Sequence, residues 1–171
     1  MDVKKLYDDY EAYIIEMRRW FHRHPELSLK EQNTSRKIQE ELQGMGIPFE
    51  VLAPNCGVAA TIKGGKEGKT IALRADIDAL PVKEETGLEF TSENEGVMHA
   101  CGHDAHIAMM LGAAKVLNEV KEELAGTVIC VFQVAEETGF GYKEVLDYFD
   151  SIGGVDSVIG LHIWSTLPEG E

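Results

Sequence analysis

Carboxylates and a histidine follow three apolar stretches of the sequence, where buried strands would end. Asp76 and Asp78 follow TIALRA, Glu136 and Glu137 follow VICVFQVA, and His162 lies near the end of VIGLHIW. In open α/β sheets, ligands bind beyond the carboxyl ends of the strands, because the loops converge there. All five residues are of metal-ligand or acid–base types. The sequence therefore predicts that this edge of a sheet carries the site.

A second candidate is the short motif CGHDAH at residues 101–106. Cys101 and His103 are two residues apart, so both side chains can reach one metal ion from a turn. Thiolate, imidazole and carboxylate ligands together suit zinc, and also manganese, cobalt or nickel where carboxylates dominate. The alternative for Cys101 is a small buried thiol without a ligand role. A lone histidine is usually structural, but the neighbouring cysteine favours a ligand role for His103.

The adjacent pair Glu136 and Glu137 differs from the Glu-Glu pairs at 40–41, 84–85 and 122–123, because it directly follows an apolar strand. Carboxylates at the end of a buried strand are costly without a cation. Adjacent residues leaving a strand point in different directions. One can hold a metal while the other takes a proton from a water molecule that the metal activates, and later gives it to a leaving amine.

Other polar residues near these motifs are expected to support the ligands. Asp76 and Asp78, at spacing two, could be turn formers, but they look more like acceptors that orient a histidine ligand. His99, Asp104 and His106 flank the cysteine motif and are expected to support ligands or contact substrate, rather than to bind metal.

The elements that position these residues alternate along the chain. The spacing of apolar residues from Leu6 to Phe21 predicts a helix that ends before Pro25, where His22 and His24 suit the negative end of the helix dipole. A second helix is predicted over 30–43. Strands are predicted at 49–52, 58–63 and 70–75, with GGKEGK as a hairpin turn between the last two.

The second half of the chain begins with a long irregular segment over 76–103, of a kind that is usually functional in a compact domain. A helix over 104–120, the strand TVICVFQ, a short helix over 142–149 and the strand VDSVIGLHIW follow. This alternation predicts an α/β fold with a mixed, mainly parallel sheet and helices on both faces.

Composition excludes several classes of partner. The chain of 171 residues has 16 basic and 30 acidic residues, so the net charge is -14, and the basic residues are not gathered in one patch. We therefore expect neither nucleic acid nor an anionic membrane as a partner. Three widely spaced cysteines do not suggest a disulfide framework. With no signal-peptide or membrane-span pattern, the sequence predicts a soluble, cytoplasmic protein.

Four motifs, in this order, resemble one enzyme family: ALRADIDALP, GVMHACGHDAHIAMMLGAA, GTVICVFQVAEE and VIGLHIW. They are similar to the amidohydrolase branch of the zinc-dependent aminoacylase and carboxypeptidase family, which includes hippurate hydrolases, N-acetyldiaminopimelate deacetylases and indole-acetyl amino acid hydrolases. The opening MRRWFHRHPELS also matches. Val134 departs from the branch, which usually has proline there.

The resemblance implies a set of site residues. Two divalent metal ions, zinc or manganese, cobalt or nickel, would be bound by Cys101, His103, Glu137 and His162, with Cys101 a bridge. Glu136 would be the general base, and Asp78 a supporting catalytic residue.

The resemblance also implies that residues 1–171 form the N-terminal segment of a zinc-exopeptidase-like catalytic domain. The family inserts a lid and dimerisation domain after a Leu-Pro-x-Gly motif, here at 167–170, and supplies a last histidine ligand beyond it. The parent protein is expected to be a homo-oligomer that hydrolyses N-acyl amino acids. Two alternatives stay open: a dipeptidase or carboxypeptidase acting on short peptides, or an inactive fragment that at most binds metal or a partner.

Overall fold

The computed structural model describes residues 3–168, with side chains from Asp8 onward; positions 169 and 170 of the expected Leu-Pro-x-Gly motif lie outside this range. The elements in chain order are α1 (Val3–Arg23), α2 (Gln32–Gly44), β1 (Phe49–Leu52), β2 (Gly57–Lys63), β3 (Lys66–Asp76), α3 (His103–Glu119), a 3-10 turn (Lys121–Glu123), β4 (Ala125–Gln133), α4 (Tyr142–Ser151) and β5 (Ser157–Gly160). None of the described helices combines the length and apolar character needed to cross a membrane.

The five strands form one sheet in the order β1-β2-β4-β3-β5. β4 pairs in parallel with β3, which pairs in parallel with β5, whereas β2 is antiparallel to both β1 and β4. The α/β class and the mixed sheet are confirmed, but parallel pairing is limited to the β4-β3-β5 half.

The predicted hairpin between β2 and β3 is wrong. β4 lies between these two strands and pairs with both of them, through Val58 opposite Phe132 and Leu73 opposite Cys130. GGKEGK has the composition of a tight turn, but the paired strand comes from much farther along the chain. The burial of β4 explains this pairing, because all five residues from Ile129 to Gln133 are buried, and a strand buried in this way has a neighbouring strand on each side.

Helices cover both faces of the sheet, as expected. The larger core lies between the sheet and the first three helices, and includes Phe21 of α1, Ile38 of α2 and Leu111 of α3. The smaller core lies on the opposite face, where Val145 and Phe149 of α4 pack against the sheet. Two apolar layers therefore fix β3 and β4, and with them the positions at which these strands end.

The ends of the strands set the edge where the candidate site lies. β3 ends at Asp76 and β4 ends at Gln133, and these two residues are partners in the parallel register. The predicted irregular segment that follows β3 contains only the isolated bridges Leu27–Ala79 and Leu80–Met98 before α3 begins.

The last strand is shorter than VDSVIGLHIW. β5 ends at Gly160, and all four of its residues are exposed. It is an edge strand with β3 as its neighbour in the sheet. His162 therefore lies two residues past the strand and is exposed, where the sequence predicted a place near the end of a hydrophobic strand.

Candidate metal centre

His103 is the centre of the site and is the first residue of α3. Its Nδ1 lies 2.9 Å from the backbone oxygen of Asp78 and 3.2 Å from Oδ1 of the same residue. Both neighbours are acceptors, so Nδ1 donates, and in the neutral ring that binds a metal Nε2 presents a lone pair. Nε2 lies 3.6 Å from Asp76 Oδ1, 3.8 Å from Glu137 Oε1 and 4.0 Å from Glu136 Oε2.

The turn after β4 brings the two glutamates to His103. Ala135 has a left-handed backbone, with φ 52°, a conformation that non-glycine residues adopt rarely. The backbone N–H of Glu137 donates to Asp78 Oδ2 at 3.0 Å. Glu136 has the more exposed side chain, 40% against 21% for Glu137. The two carboxylates thus have different surroundings, as the sequence suggested.

Cys101 and His162 also meet beside His103. The Sγ of Cys101 lies 3.3 Å from Nε2 of His162. His162 Nδ1 is engaged by the backbone oxygen of Ile163, so its Nε2 is directed at the thiol. One ligand atom from each of Cys101, His103 and His162 lies within 4.8 Å of the others, and the same holds for His103, Glu136 and Glu137. His103 joins the two groups.

The environment of this cluster fits divalent cations. His103 Nε2 and Glu137 Oε1 are both buried and neither has a hydrogen-bond partner, although buried polar atoms are nearly always paired. A lone pair that faces carboxylate oxygens needs a cation between them. Burial and the carboxylate of Glu137 also raise the pKa of Cys101 to about 11, so negative charge is in excess here. Thiolate, imidazole and carboxylate donors are those that suit zinc and related metals.

His106 and Asp76 form a supporting pair behind the ligands. Nδ1 of His106 lies 2.5 Å from Asp76 Oδ1, and its Nε2 accepts from the backbone N–H of Ile163 at 3.1 Å. Both nitrogens are therefore used. Arg74 donates to Asp76 Oδ2 at 2.6 Å. Burial would raise the pKa of Asp76, but the hydrogen bond from His106 and the nearby Arg74 guanidinium lower it, so the carboxylate stays ionised.

Asp104 belongs to a different contact. Its Oδ2 accepts from Arg18 Nε at 2.9 Å and lies 2.8 Å from His22 Nδ1, so it links α3 to α1. The other nitrogen of His22 lies 3.1 Å from Glu84 Oε1 on the long irregular segment. His22 was interpreted from the sequence as a charge at the end of a helix. Here it is buried between two carboxylates, whose distant positions in the sequence gave no signal of the contact.

His99 is buried and both of its ring nitrogens are without a hydrogen-bond partner among the described atoms. Burial lowers its pKa to about 4, so the ring is neutral at physiological pH. It lines a groove with Cys101, His162 and Trp164. The groove borders the candidate metal cluster, and a role for His99 in supporting ligands or contacting substrate stays a prediction.

Sequence reasoning missed Glu31, which is completely buried behind the turn after β4. Its Oε1 accepts from the backbone N–H of Ala135 at 2.8 Å. Burial raises the pKa of Glu31 to about 7. A glutamate in a polar stretch before a helix gives no sign of burial, so the sequence held no signal for this contact.

A mixed sheet covered by helices, with carboxylate, imidazole and thiolate groups gathered beyond its strand ends, places the chain among α/β proteins of the metallohydrolase type. The chain belongs to the family described as Peptidase family M20/M25/M40, which matches residues 72–171. The resemblance stated from the four motifs is thereby confirmed.

Similar proteins carry hydrolase names. The chain is 43% identical to an N-acyl-L-amino acid amidohydrolase of Geobacillus stearothermophilus, with 99% of this chain and 46% of the relative covered. It is 48% identical to thermostable carboxypeptidase 1 of Saccharolobus solfataricus, with 98% and 44% covered. The chain thus spans less than half the length of these relatives.

Solved structures show the same fold. The YXEP protein of Bacillus subtilis, a dinuclear metal-binding peptidase of the M20 family, superposes with a TM-score of 0.89 at 44% identity, covering 94% of this chain and 45% of that one. A putative aminohydrolase from methicillin-resistant Staphylococcus aureus gives 0.93 at 44% identity, covering 100% and 46%.

Proposed function

We propose that this chain supplies the first part of a two-metal amidohydrolase site, and that the protein carrying it hydrolyses the amide bond of N-acyl amino acids. In this proposal Cys101, His103, Glu137 and His162 hold two divalent cations. The observation that carries it is the pair of buried, unpartnered atoms His103 Nε2 and Glu137 Oε1, 3.8 Å apart. The amidohydrolase named among the relatives supports the reaction class.

When bound, the cations supply Lewis acidity to the scissile carbonyl and to the attacking water. Glu136 is the residue left to move protons, because its side chain is the more exposed of the two glutamates. It would take a proton from the water and give it to the amine that leaves. Asp78 holds Nδ1 of His103 and the backbone N–H of Glu137, so it fixes the orientation of two ligands together.

Hydrolysis of a peptide bond is the second candidate, favoured by the identity to a thermostable carboxypeptidase. Both reactions release an amino acid from an amide, so the same residues serve either. A panel of N-acetyl amino acids, hippurate and dipeptides, with the released amine measured, separates them. Preferential turnover of dipeptides would favour the peptidase, and cleavage of the N-acyl substrates would favour the amidohydrolase.

The third candidate is a metal-binding segment without turnover of its own. It is favoured by the length of the match, because this chain covers only 46% of the amidohydrolase relative. Metal binding is measured by equilibrium dialysis of the purified chain against Zn²⁺, and turnover is assayed on the same sample. Zinc binding is expected in either case. Absence of binding would contradict the proposed site, and turnover at ordinary enzyme rates would exclude the third candidate.

A further inference from the structure

Glu31 lies where it can set the geometry of the two glutamates without touching a ligand. It directly precedes α2, and its backbone oxygen accepts from the N–H of Ser35 at 2.8 Å, so the helix start fixes its backbone. Its side chain is 0% exposed. From this fixed position Oε1 reaches the N–H of Ala135 at 2.8 Å.

The residue that Glu31 holds has an unusual backbone. Ala135 is one of two non-glycine residues with positive φ among those described. Such a conformation is unfavourable for an alanine and persists where neighbouring groups hold it. Its N–H is one such point, and its carbonyl, which accepts from Phe140 N–H at 3.2 Å, is another. The next two residues along the chain are Glu136 and Glu137.

The segment that carries Glu31 also supports the opposite side of the turn. Ser28 Oγ donates to Asp78 Oδ2 at 2.7 Å, and the same oxygen accepts from the N–H of Glu137. Acceptors therefore hold the N–H groups of Ala135 and Glu137, on either side of Glu136. Both acceptors depend on the short stretch between α1 and α2, which supplies Glu31 itself and the Ser28 hydroxyl that holds Asp78.

We propose that Glu31 is a positioning residue of the metal site: as an acceptor for the Ala135 N–H, it holds the left-handed turn that directs Glu137 at His103. This inference rests on the proposed function, because it assigns Glu137 to the metal. It requires an acceptor at the right distance rather than a negative charge. A glutamine keeps both the length and the acceptor oxygen, whereas an aspartate keeps the charge and withdraws the oxygen by one methylene.

The test compares the Zn²⁺ affinities of wild type, E31Q and E31D, measured by competition with a chromogenic chelator. E31D is expected to bind zinc about 10- to 100-fold more weakly, the range found when a group that orients a metal ligand is lost. E31Q is expected to stay close to wild type. Equal weakening of E31Q and E31D, or no weakening of E31D, would overturn the proposal.

A matched control comes from Glu144 on α4. It is also a buried glutamate, with one oxygen accepting from Asn55 Nδ2 at 3.0 Å and the other unpartnered. Its helix packs on the opposite face of the sheet. E144D repeats the same chemical change there and is expected to leave zinc affinity unchanged. Equal loss in E31D and E144D would indicate general destabilisation and overturn a positioning role.

A measurement on metal-free protein keeps the test decisive if E31D does not fold. The Ala135 amide is expected to be protected from hydrogen exchange in wild type and in E31Q, and rapid exchange in the folded wild type would overturn the proposal. Failure of wild type to bind zinc would instead contradict the proposed function, so the two failures are distinguishable.

Discussion

His106 Nε2 accepts a hydrogen bond from the backbone N–H of Ile163 at 3.1 Å. The contact joins α3 to the segment after β5, whose residue His162 lies beside Cys101. The exposed end of this segment is therefore tied to the buried part of the site by one imidazole. Since the other nitrogen of His106 is engaged by Asp76, a single ring orients both sides of the cluster.

Replacing His106 should release that segment. H106F keeps an aromatic ring but removes the acceptor for Ile163 and the donor to Asp76, so we expect a loss of about 1–3 kcal/mol in the free energy of unfolding. Hydrogen exchange at the Ile163 amide should also become faster. Urea unfolding and exchange measured by NMR check both effects. H24F, at a half-buried histidine that stacks on Trp20, is the control, and unchanged exchange at Ile163 would contradict the prediction.

The two adjacent glutamates should separate metal binding from proton transfer. E137Q is expected to weaken zinc binding, because it removes the negative charge of the Glu137 carboxylate, whose Oε1 faces His103 Nε2. Of the carboxylate oxygens around Nε2, only that of Asp76 lies nearer. E136Q should retain zinc and lower turnover by about 10²- to 10⁴-fold, the usual contribution of a general base. Zinc content and hydrolysis rate are measured on the same preparations. Similar zinc loss in both variants would argue against the division of roles.

Gly102 connects the two halves of the cysteine–histidine motif. Its φ is 92°, and a Cβ there would collide with Ile163 Cδ1. G102A is therefore expected to lower the free energy of unfolding by the about 1–2 kcal/mol of left-handed strain. It should also displace the exposed side chain of Ile163, the neighbour of His162, and so weaken zinc binding.

Gly96 is the matched control for this variant, since its φ is 76° but nothing lies within 4 Å of the position a Cβ would take. G96A should show the backbone strain and keep the zinc affinity. Chemical denaturation and zinc titration of both variants provide the comparison. Equal effects on zinc would show that contact with Ile163 is irrelevant.

The stability of wild type relative to E31Q should depend on pH. Burial raises the pKa of Glu31 from 4.5 to about 7, so between these values the folded protein holds a proton that the unfolded chain has released. The free energy of unfolding contributed by Glu31 therefore falls as pH rises from 4.5 to 7, by up to about 3 kcal/mol at about 1.4 kcal/mol per pKa unit. E31Q has no such proton.

The difference between E31Q and wild type should accordingly grow in favour of E31Q across this range and level off above about pH 7. Denaturant unfolding of both proteins at half-unit pH intervals measures it. Parallel stability curves for the two proteins would contradict the prediction.

Local pattern predicted the elements well and their pairing less well. The residues of α1 and β4 agree with the periodic and the apolar stretches that predicted them, because helical spacing of apolar residues and an unbroken apolar run are properties of the local sequence. The hairpin prediction was wrong because GGKEGK indicates only that the chain turns there. The partner of β2 is β4, whose buried residues require a neighbouring strand on each side.

The site residues also divide into those that local sequence could predict and those that depend on distant contacts. Asp76 is the last residue of β3, and Asp78 and the two glutamates lie just beyond strand ends. All four meet at His103, as the rule for α/β sheets predicts. The contact of Glu31 could not be predicted, because a buried acidic residue before a helix looks the same in the sequence as an exposed one. The same applies to His22, whose partners lie far along the chain.

The position of β4 between β2 and β3 has a consequence for synthesis of the chain. Until residues 125–133 have left the ribosome, β2 can pair with β1 alone and β3 has no partner strand, and open strand edges favour pairing with other chains. Long-range pairing of this kind is also slow to form. Nascent chains that stall before β4 should therefore be prone to aggregation. Chaperone binding should be strongest while β4 is not yet synthesised.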